Sequence, residues 1–203
     1  GAGIEATEEL FVARAQRSAA GEPYDPDVEF GKLSHLSGGG GARIRVDIGN
    51  GPAGKAAADN PNDYLPQKSP EESLTVYMRL LRNKVKDPDL AIYTPQTRKF
   101  LSRWVVTDSQ QENELSHLEM AAIDKVVIAD NRAVIRFPAG QRTLPPYFLE
   151  NNGSGWALDF AAMNKLVRMN HKNMWHFASL DHPYIFGFAD WRFDSSGYPV
   201  PVK

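Results

Sequence analysis

The chain predicts an α+β fold with helices packed on an antiparallel sheet, and three observations carry that prediction. Capped, helix-periodic segments occupy residues 69–122, and β-branched runs joined by tight-turn residues follow over 123–160. No helical pattern lies between those runs to carry a crossover to a parallel strand.

The first helix begins at Ser69, where Ser69, Pro70 and Glu72 fill the N-cap, N1 and N3 positions of a capping box. Leu74, Tyr77, Met78, Leu81 and Val85 recur at three and four, which buries one face, and Asp87-Pro88 is the expected stop. Thr94-Pro95 is a second N-cap and N1 pair, with Phe100, Leu101 and Trp104 on the apolar side of the helix it opens. A more polar third helix is expected over 108–122, with Leu115, Leu118 and Met120 as its apolar contribution.

Residues 123–129 and 132–137 then form a hairpin about Asp130-Asn131, a pair that tolerates positive φ. A second hairpin joins 146–150 to 156–160 through Asn151-Asn152-Gly153-Ser154-Gly155. Phe160, Met163, Leu166, Val167, Asn170 and Met174 suggest one more helix, and 184–193 an aromatic strand or packed arm.

The expected division is 1–68, an N-terminal helix over 4–19 plus a Gly/Pro-rich extension with one strand at 42–48; 69–165, the main domain; and 166–203, a C-terminal helix and an aromatic arm packed on that domain. No repeat of 20–50 residues is visible.

Composition narrows the classes. The 203 residues are 42% hydrophobic and 24% charged, as in ordinary globular proteins. A net charge of -2 supplies no basic excess to neutralise phosphates, which argues against nucleic acid as a partner. No stretch approaches the ~20 apolar residues of a spanning helix. With no cysteine there are no disulfides, thiol nucleophiles or cysteine zinc ligands. The lack of cysteine fits an exported protein without disulfides and equally many cytosolic ones; with the Gly1-Ala2-Gly3 opening, as in a processed export product, the expectation is an extracytoplasmic location, periplasmic or secreted.

The segments SPEESLTVYMRLL, YTPQTRKFL, KVVIADNRAVIRF and YFLENNGSGWALDF, in that order, resemble the NTF2-like (cystatin-like α+β) superfamily over residues 69–160. The resemblance implies helices laid across a curved antiparallel sheet to form a cone, with a ligand-binding pocket between them. Its members include isomerases, cyclases, dehydratases, transport adaptors and secretion scaffolds, so function is left to the site. Only four strands are evident here, and both extensions lie outside the matched region.

Within such a cone, Tyr77, Tyr93, Trp104, Tyr147 and Trp156 are the expected ligand contacts. Tyr77 and Asp159 are the candidate acid–base pair, since a carboxyl meeting a tyrosine across an apolar cavity has a pKa open to tuning. Core packing for Tyr77 and helix capping for Asp159 are the ordinary alternatives.

Two tempting motifs carry little. Gly49-Asn50-Gly51-Pro52-Ala53-Gly54-Lys55 satisfies phosphate-loop spacing, but Ala56 replaces the magnesium-binding hydroxyl and Pro52 removes an amide donor. The stretch before Asn60-Pro61 is also too short for a supporting helix. His171, His176 and His182 lie close in sequence, yet lack the i, i+4 spacing of a helical metal pair. No metal and no cofactor is expected.

The function expected is therefore a non-catalytic domain binding a small apolar ligand or a protein partner, a homodimer included. The alternatives are an isomerase, cyclase or dehydratase acting in the pocket, and an envelope or secretion scaffold using the aromatic arm.

Overall fold

The computed structural model describes residues 56–200. The expected helix over 4–19, the strand at 42–48 and the glycine loop at 49–55 lie outside the described residues.

Helix α1 (Pro70–Arg82) starts as its sequence requires: the Ser69 side chain accepts from the Glu72 N–H. It ends earlier than Asp87-Pro88. Lys84 adopts φ 55°, and the amides of Lys84 and Val85 donate back to the carbonyls of Leu81 and Leu80 at 3.1 Å each. That is a Schellman ending, made here by a lysine in the left-handed region where glycine is usual.

Helix α2 (Pro95–Leu101) is capped by Thr94, and helix α3 (Asp108–Met120) opens with a reciprocal capping box between Thr107 and Gln110.

Strands β1 (Lys125–Ala129), β2 (Arg132–Arg136), β3 (Tyr147–Asn151) and β4 (Trp156–Leu158) form one antiparallel meander in chain order. Asp130 takes φ 52° in the first turn, and Gly153 and Gly155 take φ 91° and 142° in the second. The sheet is open, with no closure or curl among the described residues, so the expected cone is not drawn by its strands. The β4 edge is covered: Trp156 donates to Gln67 O at 2.8 Å and Leu158 to Ile92 O at 2.7 Å.

Beyond β4 the sequence expectation of a long helix is corrected. Helix α4 (Phe160–Leu166) ends after seven residues, and Val167–Met169 becomes strand β5, paired with β6 (Trp175–Phe177). The residues assigned to the helix's later turns, Val167 and Met174, instead lie in and beside this hairpin. A short 3₁₀ turn, Ile185–Phe188, and the pair β7 (Arg192–Phe193) and β8 (Pro199–Val200) complete the chain.

Strands β2, β3 and β4 are buried on both faces, and β1 is the exposed edge. Alternation along β3 sends Tyr147 one way, towards Tyr77 and Phe160, and Phe148 the other, where it stacks on Tyr184 at 4.3 Å with 4° between planes. Phe148 is the register partner of Val134, and Gly187 sits directly against the Val134 side chain. The helices thus cover one face and the aromatic segment the other. Trp175, Phe177, Tyr184 and Phe188 are buried, and Phe186, Trp191 and Phe193 partly so.

Arg136 fastens this third layer. Its guanidinium is almost fully buried and bonds Asp190 through two nitrogens, Asp124 through Nε at 2.7 Å and the Gly187 carbonyl at 3.0 Å, with the Trp191 ring 4.6 Å away.

Candidate functional site

The buried polar chemistry on the helix side centres on a residue that hydrophobic periodicity passes over. Helix α3 turns Gln110, Gln111, Glu114 and Leu118 inward, a mostly polar stripe at helical spacing. Glu114 is only 4% exposed. Its Oε2 accepts from the Tyr77 hydroxyl at 2.8 Å and its Oε1 from the Tyr147 hydroxyl at 2.5 Å, so α1, α3 and β3 meet at one carboxyl.

Burial outweighs these hydrogen bonds and pushes the Glu114 carboxyl up to about 8. At neutral pH it is mainly the uncharged acid. Burial, followed by the neighbouring Glu114 charge, raises the Tyr77 and Tyr147 hydroxyls well above the ordinary tyrosine value. Tyr93 moves the same way, from burial, then Glu114 and then Asp87.

Beside the carboxyl lies a cavity of about 40 Å³ between α1, α3 and the 85–93 connection. Tyr77, Tyr93 and Phe160 line it, their ring centroids 5.0–6.4 Å apart, together with Leu81, Gln111 and Glu114. The volume suits about two or three waters, or one small head group. Gln111 donates through Nε2 to the Val85 carbonyl at 2.7 Å, while its buried Oε1 has no hydrogen-bond partner.

The sequence-predicted residues separate. Tyr77 and Tyr93 line the cavity and Tyr147 holds the carboxyl next to it. Trp104 packs edge-on against Phe100 at 4.4 Å, and Trp156 sits in β4 with its carbonyl accepting from Ser73 Oγ at 2.6 Å; neither lines the cavity. Asp159 is not bonded to Tyr77. One of its oxygens caps α4 by accepting from the Ala162 N–H at 3.1 Å, and the other accepts from the Tyr184 hydroxyl at 2.6 Å. The candidate pair therefore resolves into two separate carboxyl–tyrosine contacts, one of them built on Glu114. The signal for Glu114 was its position in step with Gln111 and Leu118, which an apolar-only reading discards.

Among the described residues no three His, Asp or Glu side chains gather in a metal-binding group. His171 is exposed, His182 accepts from the Tyr184 N–H through Nδ1, and His176 stacks on Tyr198 at 4.5 Å. No described helix is long and apolar enough to cross a membrane. Compared with known proteins, the chain matches no family model, no curated protein and no solved structure, so it stands as an α+β domain identified by its own geometry.

Proposed function

We propose that this domain is a small-molecule binding module that holds a ligand head group in the cavity beside Glu114 without transforming it. The observation that carries the reading is a void whose wall sets the buried residues Glu114 and Gln111 among the Tyr77, Tyr93 and Phe160 rings and aliphatic side chains, with Lys86, Asp87 and Gln110 completing its polar lining. Few polar groups in an apolar concavity is the usual composition of a ligand site. The helix-over-sheet placement also supports kinship with NTF2-like proteins, with the aromatic layer on the far face of the sheet as a departure from them.

Binding without turnover is favoured because both Glu114 oxygens already accept tyrosine hydroxyls and Asp159 is committed to a helix cap and to Tyr184. The test is an NMR screen of small polar probes against the full chain. Binding that shifts Tyr77, Tyr93 and Gln111 resonances, and is lost in Val106→Trp at the cavity wall, supports the reading. Saturable binding elsewhere, unaffected by that variant, overturns it.

One observation favours a second reading as an isomerase, cyclase or dehydratase. A carboxyl held near 8 is suited to proton transfer close to neutral pH, which makes Glu114 the acid–base group in place of Asp159. Turnover of any compound that falls at least a hundredfold in Glu114→Gln would select it.

A further inference from the structure

We infer that the cavity between α1, α3 and the 85–93 connection takes the primary ammonium head of a small amine, with Glu114 as counter-charge and the Tyr77, Tyr93 and Phe160 rings around it. This rests on the reading of the cavity as a ligand site.

Gln111 lines the cavity, and its side chain holds an unmet acceptor. Its Nε2 is fixed on the Val85 carbonyl, and its buried Oε1 has no hydrogen-bond partner. A buried acceptor without a partner is costly, and only a donating ligand atom or water relieves it.

The wall also asks for positive charge. Glu114 and Asp87 are the carboxyls facing the cavity, and Asp87 is already engaged with the backbone N–H groups of Ala58 and Asp89 at 2.9 Å each. Glu114 remains the group whose ionisation a ligand can stabilise. The other titratable groups against it are Tyr77 from α1, Tyr147 from β3 and Tyr93 from the 85–93 connection; Lys86 of that connection also lines the cavity, and α4 supplies only Phe160. The Lys86 ammonium is paired with Asp108 at 2.5 Å. Aromatic faces attract an ammonium within about 6 Å of a centroid, most strongly when it is desolvated. An anion would meet two carboxyls. A neutral hydroxyl would satisfy Gln111 but gain nothing from Glu114.

Size selects a primary ammonium over a bulkier cation. A void of about 40 Å³ has room for about two or three waters, which a primary ammonium and its first carbon fill, with the rest of the amine leaving through the opening.

A cation that pairs with ionised Glu114 must displace its proton. Because the carboxyl sits near 8 without ligand, apparent affinity should rise about tenfold per pH unit below that value and level off above it.

The experiment titrates the full chain with methylammonium and, separately, with methanol at pH 6, 7, 8 and 9, following the Gln111 side-chain amide and the Tyr77 and Tyr93 rings by NMR. The expected result is saturable methylammonium binding that tightens about fiftyfold from pH 6 to pH 8 and less than about twofold more by pH 9. Glu114→Gln should weaken it at least tenfold at pH 8 and abolish its pH dependence. Methanol binding the same residues as tightly, or methylammonium affinity flat with pH, overturns the ammonium assignment and leaves the ligand pocket standing. If neither probe moves those resonances, the ligand-site reading falls as well.

Discussion

The Tyr147 hydroxyl donates to Glu114 Oε1 at 2.5 Å from the opposite side of the carboxyl to Tyr77, joining the sheet to two helices through one side chain. The two hydroxyl bonds favour the ionised carboxyl and burial disfavours it, and burial is the larger effect.

Glu114 therefore sets an unusual pH dependence. Its folded pKa, about 8, lies above the ordinary value of 4.5, so its stabilising contribution is full below 4.5 and is lost as pH rises through 8. At roughly 1.4 kcal/mol per pKa unit the loss is a few kcal/mol at most. Urea denaturation from pH 5 to pH 9 should show the wild type losing stability relative to Glu114→Gln, whose amide oxygen accepts from one tyrosine and whose Nε2 donates to the oxygen of the other. Glu114→Ala should be destabilised by about 2–4 kcal/mol at pH 6, because two buried hydroxyls lose their acceptor.

Asp159 predicts a coupling between α4 and the aromatic layer. Asp159→Ala removes a helix cap, worth about 1 kcal/mol, and strands the Tyr184 hydroxyl, for about 1–3 kcal/mol more. Tyr184→Phe should cost less. A double-mutant cycle between them should return an interaction of about 1 kcal/mol or more, and additive effects would contradict the contact.

These carboxyls also show where the sequence was legible. Ser69, Thr94 and the turns at Asp130 and 151–155 announced themselves, because caps and positive-φ turns are local chemistry that needs no tertiary partner. The four-stranded meander followed from the same signals. Glu114 was hidden because its burial depends on tyrosines 37 and 33 residues away. Helix α4 was overextended because Val167, Asn170 and Met174 continue the spacing of three and four begun by Phe160 and Met163; pairing of Val167 with Phe177 and of Met169 with Trp175 makes 167–169 a strand, and the local sequence does not reveal it. The stop of α1 at Lys84 rests on a left-handed lysine, which residue preferences argue against.

Arg136 should anchor the aromatic layer to β2. Arg136→Met removes its bonds to Asp124, Asp190 and Gly187, and hydrogen exchange in 185–193 should speed up about tenfold or more while β3 stays protected. Asp190 is held down to about 2 by its hydrogen bonds to Arg136. Its contribution is full above the unfolded carboxylate range and is lost as pH falls through 2. The Asp190 side chain is 54% exposed, so solvent screening keeps that contribution small and Asp190→Asn should cost under about 1 kcal/mol.

Gly197 and Gly140 make a matched pair. Gly197 has φ 83°, and an added Cβ would lie 2.1 Å from the Phe177 carbonyl oxygen, a backbone atom of β6. Gly197→Ala should lower stability by more than about 2 kcal/mol in thermal unfolding, whereas Gly140→Ala, with nothing within 4 Å, should stay within about 0.5 kcal/mol of wild type.

The most direct measurement is a ¹³C NMR titration of the Glu114 side-chain carboxyl in the ligand-free full chain from pH 4 to pH 10. A single inflection near 8, absent from the same spectral position in Glu114→Gln, is the result predicted for a buried acid between Tyr77 and Tyr147. An inflection near the ordinary 4.5 would place the carboxyl in water and contradict the site on which the functional reading stands.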